Sequence, residues 1–282
     1  MELMNALTEK WVNAFIERPS STLLIECTND SQSGDILAEH ICRALAKDSH
    51  VPIVHLRVND DKKSIGIEDV RQLQKSFQLK ANTDSKYTRF VIINDASLLT
   101  LEAQNTLLKL MEELPEKTVL IIVADNTQSL LETVKSRCFT IPVLPITELQ
   151  ATNYGAQNSY TFASVKKAYL LSEGYSSSFI RLLNDEHDSL YELVDIAKKF
   201  VSDSIFERQI LLQTLASTKS IYTYTEFTQA LKLTAKSGMR FAKTNDSKTH
   251  WKNILQAVLK SDEQVDRNVS EKLALLSLSV SL

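Results

Sequence analysis

Glycine and proline are scarce in this chain, five of each in 282 residues. Their scarcity excludes long irregular loops and low-complexity linkers, and leaves most of the chain to regular structure. Cysteine is scarcer still. Cys27, Cys42 and Cys138 are too few and too scattered for a disulfide framework or a four-cysteine zinc site, and a reducing cytosol fits best. The five histidines, His40, His50, His55, His187 and His250, have no metal-ligand spacing, so no metal is expected. Long apolar runs are missing too: the longest, Val119–Ala124, reads as a buried strand and is far short of the roughly 20 residues that span a bilayer. Met1–Phe15 carries acidic residues and lacks the basic segment and apolar block of a signal peptide, so a cytoplasmic location without a membrane partner is expected. Nor is there an excess of positive charge. A formal charge of −3 argues against coating DNA by bulk electrostatics and leaves room only for a local basic patch.

What is present is apolar patterning, 43% of residues, enough to fill the cores of two or three domains. The first half alternates strand and helix. Strands are expected at Thr22–Cys27, Ile53–Val58, Phe90–Asn94, Thr118–Ala124 and Phe139–Val143, and helices at Asp35–Lys47, Glu68–Leu79 and Leu101–Leu114. A short helix is expected before Ser136. Alternation of this kind predicts a parallel sheet covered by helices. Continuous runs such as Val91-Ile92-Ile93 suit strands buried on both faces. Thr100 is a good N-cap for the third helix, Pro115 stops it, and Leu107, Leu108, Met111 and Leu114 form its inward stripe. Beyond about Pro145 the strand signal fades. Helices are expected at Ser164–Ser172, Ser177–Asn184, Leu190–Thr218, Thr225–Thr234, Trp251–Leu259 and Ser270–Ser279. The fold class is therefore α/β plus all-α, with an α/β domain over 1–145, a small helical domain over 146–185 and a helical bundle over 186–282.

Several residues now carry a resemblance. The stretch LLKLMEELPEKTVLIIVADNTQSLLETVKSRC, from Leu107 to Cys138, resembles the clamp-loader branch of the AAA+ ATPases. Ser64–Leu73 is similar to the segment that family places before its Walker B strand, Leu171–Gly174 to the start of its lid helix, and Asn268–Leu275 to the end of one of its bacterial subunits. The resemblance is strong over 64–145 and weak over 186–260. It implies an AAA+ parallel α/β domain, a helical lid and a helical collar that binds neighbouring subunits.

Departures from the family pattern decide what is expected of the site. A phosphate loop needs glycines for backbone wrapping, a lysine for the phosphates and Ser/Thr for magnesium. Between the first strand and its helix this chain offers Thr28-Asn29-Asp30-Ser31-Gln32-Ser33-Gly34-Asp35, with Asp35 about where the lysine belongs. A carboxylate there repels a triphosphate. In the Walker B turn Asn94 replaces the metal-binding Asp and Asp95 replaces the catalytic Glu; in the lid, Ser177 stands where the ATPases have an arginine. The family's zinc module near residue 45 is absent. The expectation is a catalytically inactive subunit with no cofactor.

The resemblance implies that Ser136-Arg137-Cys138 faces a nucleotide bound by a neighbouring subunit, where Arg137 acts in trans as an arginine finger. The competing reading of Arg137 is a surface salt bridge at the end of a short helix. Implied partners are motor subunits of the gamma/tau type and a delta subunit, with the sliding clamp and primed DNA as indirect ones. Two alternatives stay open: a divergent but working motor subunit, and an AAA+-derived scaffold outside replication. Cys138 is read as a small packing residue and Arg71 as structural. Lys232, Lys236, Arg240, Lys243 and Lys248 form a basic stretch that is a solvated helix face or a DNA contact, and Tyr222, Tyr224 and Phe227 are read as bundle packing.

Overall fold

Alternating hydrophobic strands and amphipathic helices build the first unit around a parallel sheet. The structure, a computed structural model, describes residues 3–28, 30–47, 50–58, 62–77, 86–185, 187–215 and 223–282. Asn29, the end of the helix expected to reach Leu79, the end of the one expected to reach Thr218, and Tyr222 lie outside the described residues. The chain divides into two compact units, Met1–Leu183 and Asn184–Leu282.

In the first unit the order is α1 (Ala6–Glu17), β1 (Thr22–Glu26), α2 (Ser31–Ala46), β2 (Ile53–Leu56), α3 (Ile67–Ser76), β3 (Arg89–Ile93), α4 (Leu101–Glu112), β4 (Thr118–Ala124), α5 (Glu132–Lys135) and β5 (Phe139–Pro142). The described strands form one sheet in the order β2-β3-β4-β1-β5, all parallel. β1 lies in the interior between β4 and β5, so the connection leaving it and the one returning to β5 run to opposite sides. This reversal is where open α/β sheets bind ligands, beyond the carboxyl ends of their strands. Alternate strand residues feed two cores. Leu23, Ile25, Phe90, Ile92, Ile121 and Val123 pack under α1 and α2, while Leu24, Val91, Ile93, Leu120 and Ile122 pack under α3 and α4. Each such side chain stabilises the fold by about 1.5–3 kcal/mol relative to exposure. This is a parallel α/β frame with helices on both faces.

Two helices of this unit escaped the sequence reading. α1 is capped by Asn5, whose side chain accepts from Leu7 N at 2.9 Å, and buries Thr8, Val12 and Phe15. α6 (Glu148–Gln157) starts in a Thr147/Gln150 capping box. That Thr-x-x-Gln spacing was a legible start signal. α7 (Phe162–Leu171) and α8 (Ser176–Asn184) follow, joined through Gly174 at φ +82°. A Cβ there would also stand 2.8 Å from the Ile146 carbonyl oxygen, so only glycine fits the turn. On α4 the inward stripe is Ala103, Leu107, Leu110 and Met111; Leu108 and Leu114 are only partly buried at its margin, which corrects the expected set.

The second unit is helical throughout its elements: α9 (Ser189–Ser202), α10 (Ile205–Leu215), α11 (Tyr224–Phe241), α12 (Asn245–Asp266) and α13 (Glu271–Ser281). The single helix expected over 190–218 is broken at Asp203, whose backbone is extended. Ser204 and Glu207 form a new start, with Glu207 Oε2 accepting from Ser204 N at 2.9 Å and from its hydroxyl at 2.8 Å. Hydrophobic periodicity runs across such a break without registering it. Buried Arg208 then reaches back to cap α9, donating to the carbonyls of Phe200 at 2.8 Å, Val201 at 2.9 Å and Ser279 at 3.3 Å. The helices α11 and α12 are far longer than expected, and the polar run 243–248 contains the Thr244 cap of α12. Tyr224 and Phe227 are buried in this unit, and Tyr224 Oη meets Ser261 at 2.9 Å. Of the basic stretch, Lys232 pairs with Asp262 at 3.0 Å.

Arg208→Ala leaves two well-formed charge-assisted bonds unmade and the end of α9 uncapped. It should destabilise the second unit by about 2–4 kcal/mol. Denaturant unfolding followed by far-UV circular dichroism checks this, and an unchanged midpoint would refute the capping role.

Candidate functional site

The candidate site lies where β1 and β3 end. Leaving β1, the chain turns through Cys27 and Thr28, and Asp30 caps α2. Asp30 Oδ1 accepts from Ser33 N at 3.0 Å and Oδ2 from Ser33 Oγ at 2.7 Å. The helix begins at Ser31, four residues earlier than the sequence suggested. Ser33, Gly34 and Asp35 therefore lie inside the first turns of α2 and not in a loop. The stretch available for a phosphate loop has been taken up by helix. The surviving glycine has a packing role: a Cβ on Gly34 would stand 2.6 Å from Cys27 Sγ and 2.6 Å from Val123 Cγ1. It lets α2 lie close on the sheet.

The lid-side residue Ser177 meets the same carboxylate. Its hydroxyl donates to Asp30 Oδ1 at 2.6 Å, and its backbone N–H donates to Ser33 Oγ at 3.1 Å. The structure thus brings Ser33 and Ser177 together around Asp30. Asp30 was not among the residues expected to matter, although an Asp three positions before the Ser33 amide is an ordinary N-cap spacing.

A second cluster gathers Asp35 and Asn94. Asn94 is 1% exposed; its amide donates to Asp35 Oδ1, and its carbonyl oxygen faces His55 Nδ1 at 3.1 Å. Because the amide group points its N–H at Asp35, the imidazole is assigned the donor role toward the oxygen. Arg57 Nη2 lies 3.9 Å from Asp35 Oδ2. The Asn94 side chain is thus engaged on both sides by groups of the protein. Burial pushes the Asp35 carboxyl above its ordinary value, against the lowering effects of the Asn94 bond and Arg57. Asp95, half-buried and in the left-handed backbone region at φ 50°, turns the chain out of β3. Burial, then the negative charges of Asp125, Asp30, Asp35 and Asp95, push the Cys27 thiol up to about 12. The thiol is therefore held protonated at neutral pH. Among the described residues no group of His, Cys, Asp and Glu is disposed to hold a metal ion.

Arg137 sits at the other end of the sheet. It follows α5 and precedes β5, which pairs with β1 in the register Leu23↔Phe139. The Thr22 hydroxyl donates to the Arg137 carbonyl oxygen at 2.5 Å, tying the residue to the amino end of β1. Asp30 and Asn94 follow the carboxyl ends of β1 and β3. A five-residue strand spans roughly 15 Å, so the guanidinium does not face the Asp30 and Asn94 clusters. It is 44% exposed, with Nη2 at 3.0 Å from Glu112 Oε1 and Nη1 donating to the Thr133 carbonyl at 3.1 Å. An exposed pair of this kind contributes about 0–1 kcal/mol and exchanges readily for a stronger anion. Ser136 is exposed and donates to the Thr133 carbonyl at 3.2 Å. Cys138 is half-buried against the Val134 carbonyl, and burial pushes its thiol up to about 12. Arg71 pairs with Glu68 at the surface.

Residues 15–147 match the family model described as DNA polymerase III, delta subunit. That segment is similar to the family so described. The chain is 38% identical over 100 residues to the DNA polymerase III subunit delta' of Yersinia pestis, covering 36% of this chain and 29% of that protein. It is 34% identical over 105 residues to the corresponding subunit of Bacillus subtilis strain 168, covering 37% and 31%. The chain thus spans less than a third of the length of these two curated relatives. A DNA polymerase III gamma subunit-related protein from Thermotoga maritima superposes with a TM-score of 0.62, covering 97% of each chain at 16% identity, a likeness of fold alone. The C-terminal likeness read at 268–275 lies outside the family match. No described helix is long and apolar enough to cross a membrane.

Replacing Asp35 by Asn removes a half-buried negative charge and keeps an oxygen for the Asn94 amide. The folded-state carboxyl titrates above its ordinary value of 3.8, so its ionised form costs stability. Asp35→Asn should therefore raise the melting temperature at neutral pH. The gain should appear as pH rises through the ordinary carboxylate range and vanish below it. A gain that persists in acid would contradict this account.

Proposed function

We propose that this chain is a non-hydrolysing, delta-prime-like subunit of the bacterial DNA polymerase III clamp loader, a cytoplasmic component of the ATP-dependent loading of the sliding clamp onto primed DNA. The observation that carries the reading is the separation of Arg137 from its own degenerate site. A permanently charged planar fork, half exposed at one end of the sheet, has no nucleotide to serve within its own chain. A neighbouring subunit's triphosphate would supply the anion. Asp30 and Asp35 at the other end disfavour a triphosphate there, which argues against a working motor. The shared delta-family segment favours replication over an unrelated scaffold.

On this reading the α/β domain covers 1–145, a lid 146–185 and a collar 186–282 that joins neighbouring subunits. Partners are motor subunits of the gamma/tau type and a delta subunit, with the clamp and primed DNA reached through the assembly. The chain is a wall against which ATP-bound motors close, and Arg137 completes the adjacent motor's site.

Reconstitution with the cognate motor and delta subunits tests this. Arg137→Ala should assemble normally, yet slow clamp loading and DNA-stimulated ATP hydrolysis by about tenfold, well under the full effect seen for fingers in single-site systems. Arg137→Lys, which keeps charge and loses the fork, should fall between. Unchanged rates for the alanine variant would sink the finger role, and tight ATP binding by the purified chain alone would sink the non-hydrolysing one.

A further inference from the structure

We infer that Asp30 is an internal substitute for a bound anion, a lock that fastens α8 to the first turn of α2 without any ligand. An ordinary N-cap needs one acceptor for one backbone amide, and Ser33 N supplies that contact here at 3.0 Å. The remaining bonds go much further. Ser177 Oγ reaches Asp30 Oδ1 at 2.6 Å across a sequence separation of 147, and Ser177 N reaches Ser33 Oγ at 3.1 Å. Ser33 Oγ closes the figure by donating to Asp30 Oδ2 at 2.7 Å, with Ser176 Oγ 3.5 Å away.

All four residues are buried, Asp30 at 6%, Ser33 at 1%, Ser176 at 8% and Ser177 at 9% exposure. A carboxylate surrounded by a helix-start amide and two hydroxyl donors is held as a phosphate oxygen would be held, by charge-assisted bonds at the positive end of a helix. Removing water from around it strengthens each of those bonds. The anion, however, is covalently part of the chain and is never released. The contact between α2 and α8 therefore needs no ligand to form. This inference concerns the first unit alone and does not depend on any role of Arg137 or on the identity of partner subunits.

Amide hydrogen exchange on the full chain tests it. Ser177→Ala removes the hydroxyl tie and leaves Asp30 capping Ser33, so α8 amides should exchange about tenfold faster while the first turn of α2 keeps its protection. Asp30→Ala should release both segments. Adding millimolar ATP to the wild-type chain should leave α8 exchange unchanged. Wild-type exchange in α8 that slows with ATP, or α8 protection that survives Ser177→Ala, would overturn the lock. Because a small hydroxyl is lost without a new cavity of any size, Ser177→Ala decides the matter even if Asp30→Ala does not fold.

Discussion

A helix that starts at the carboxyl end of an interior parallel strand exposes unpaired amides that need acceptors and favour a negative one. At the phosphate sites of parallel α/β sheets that acceptor is a phosphate oxygen. Here it is the carboxylate of Asp30, which sits close enough in sequence to pull the helix start back to Ser31. Much of the site's arrangement depends on that substitution. With the loop absorbed into helix there is no backbone cradle, Gly34 is free to serve packing against Cys27 and Val123, and Ser177 finds a partner in the carboxylate. Asp35, one turn further on, is left to bond Asn94, whose amide is spent within the protein.

The two ends of the sheet have thereby been given different physical characters. The carboxyl end is acidic and internally hydrogen-bonded. The amino end of β5 displays a half-exposed guanidinium in a weak surface pair with Glu112. Both readings of Arg137 raised by the sequence, a surface salt bridge and a residue for a neighbour's nucleotide, are compatible with that geometry, since a pair worth about 0–1 kcal/mol does not hold the side chain against a stronger anion. The backbone is more firmly held than the side chain, through the Thr22 hydroxyl and the register of β5 on β1.

Much of this was legible beforehand, for particular reasons. β4 was read to its ends because seven consecutive strand residues are buried on both faces and bounded by turn signals. α4 announced itself through Thr100 and Pro115. Where the reading failed, a local hydrogen bond outweighed the apolar pattern. α1 and α6 were missed although Asn5 and Thr147 cap them, and the break at Asp203 was hidden because apolar residues continue on both sides of it. The loop expected over 28–35 was an inference from what nucleotide sites require, whereas Asp30 obeyed the simpler rule for starting a helix.

By itself the sequence determined the parallel α/β frame and the helical second half. Those follow from residue type and spacing along the chain. Only the tertiary structure decided that Asp30 and Ser177, 147 positions apart, would share one carboxylate, that Asn94 would turn to Asp35 and His55, and that Arg137 would stand at the opposite end of the sheet from them all. Strand order and register set those distances, and a hydrogen bond between distant segments has no periodicity by which a linear sequence could reveal it.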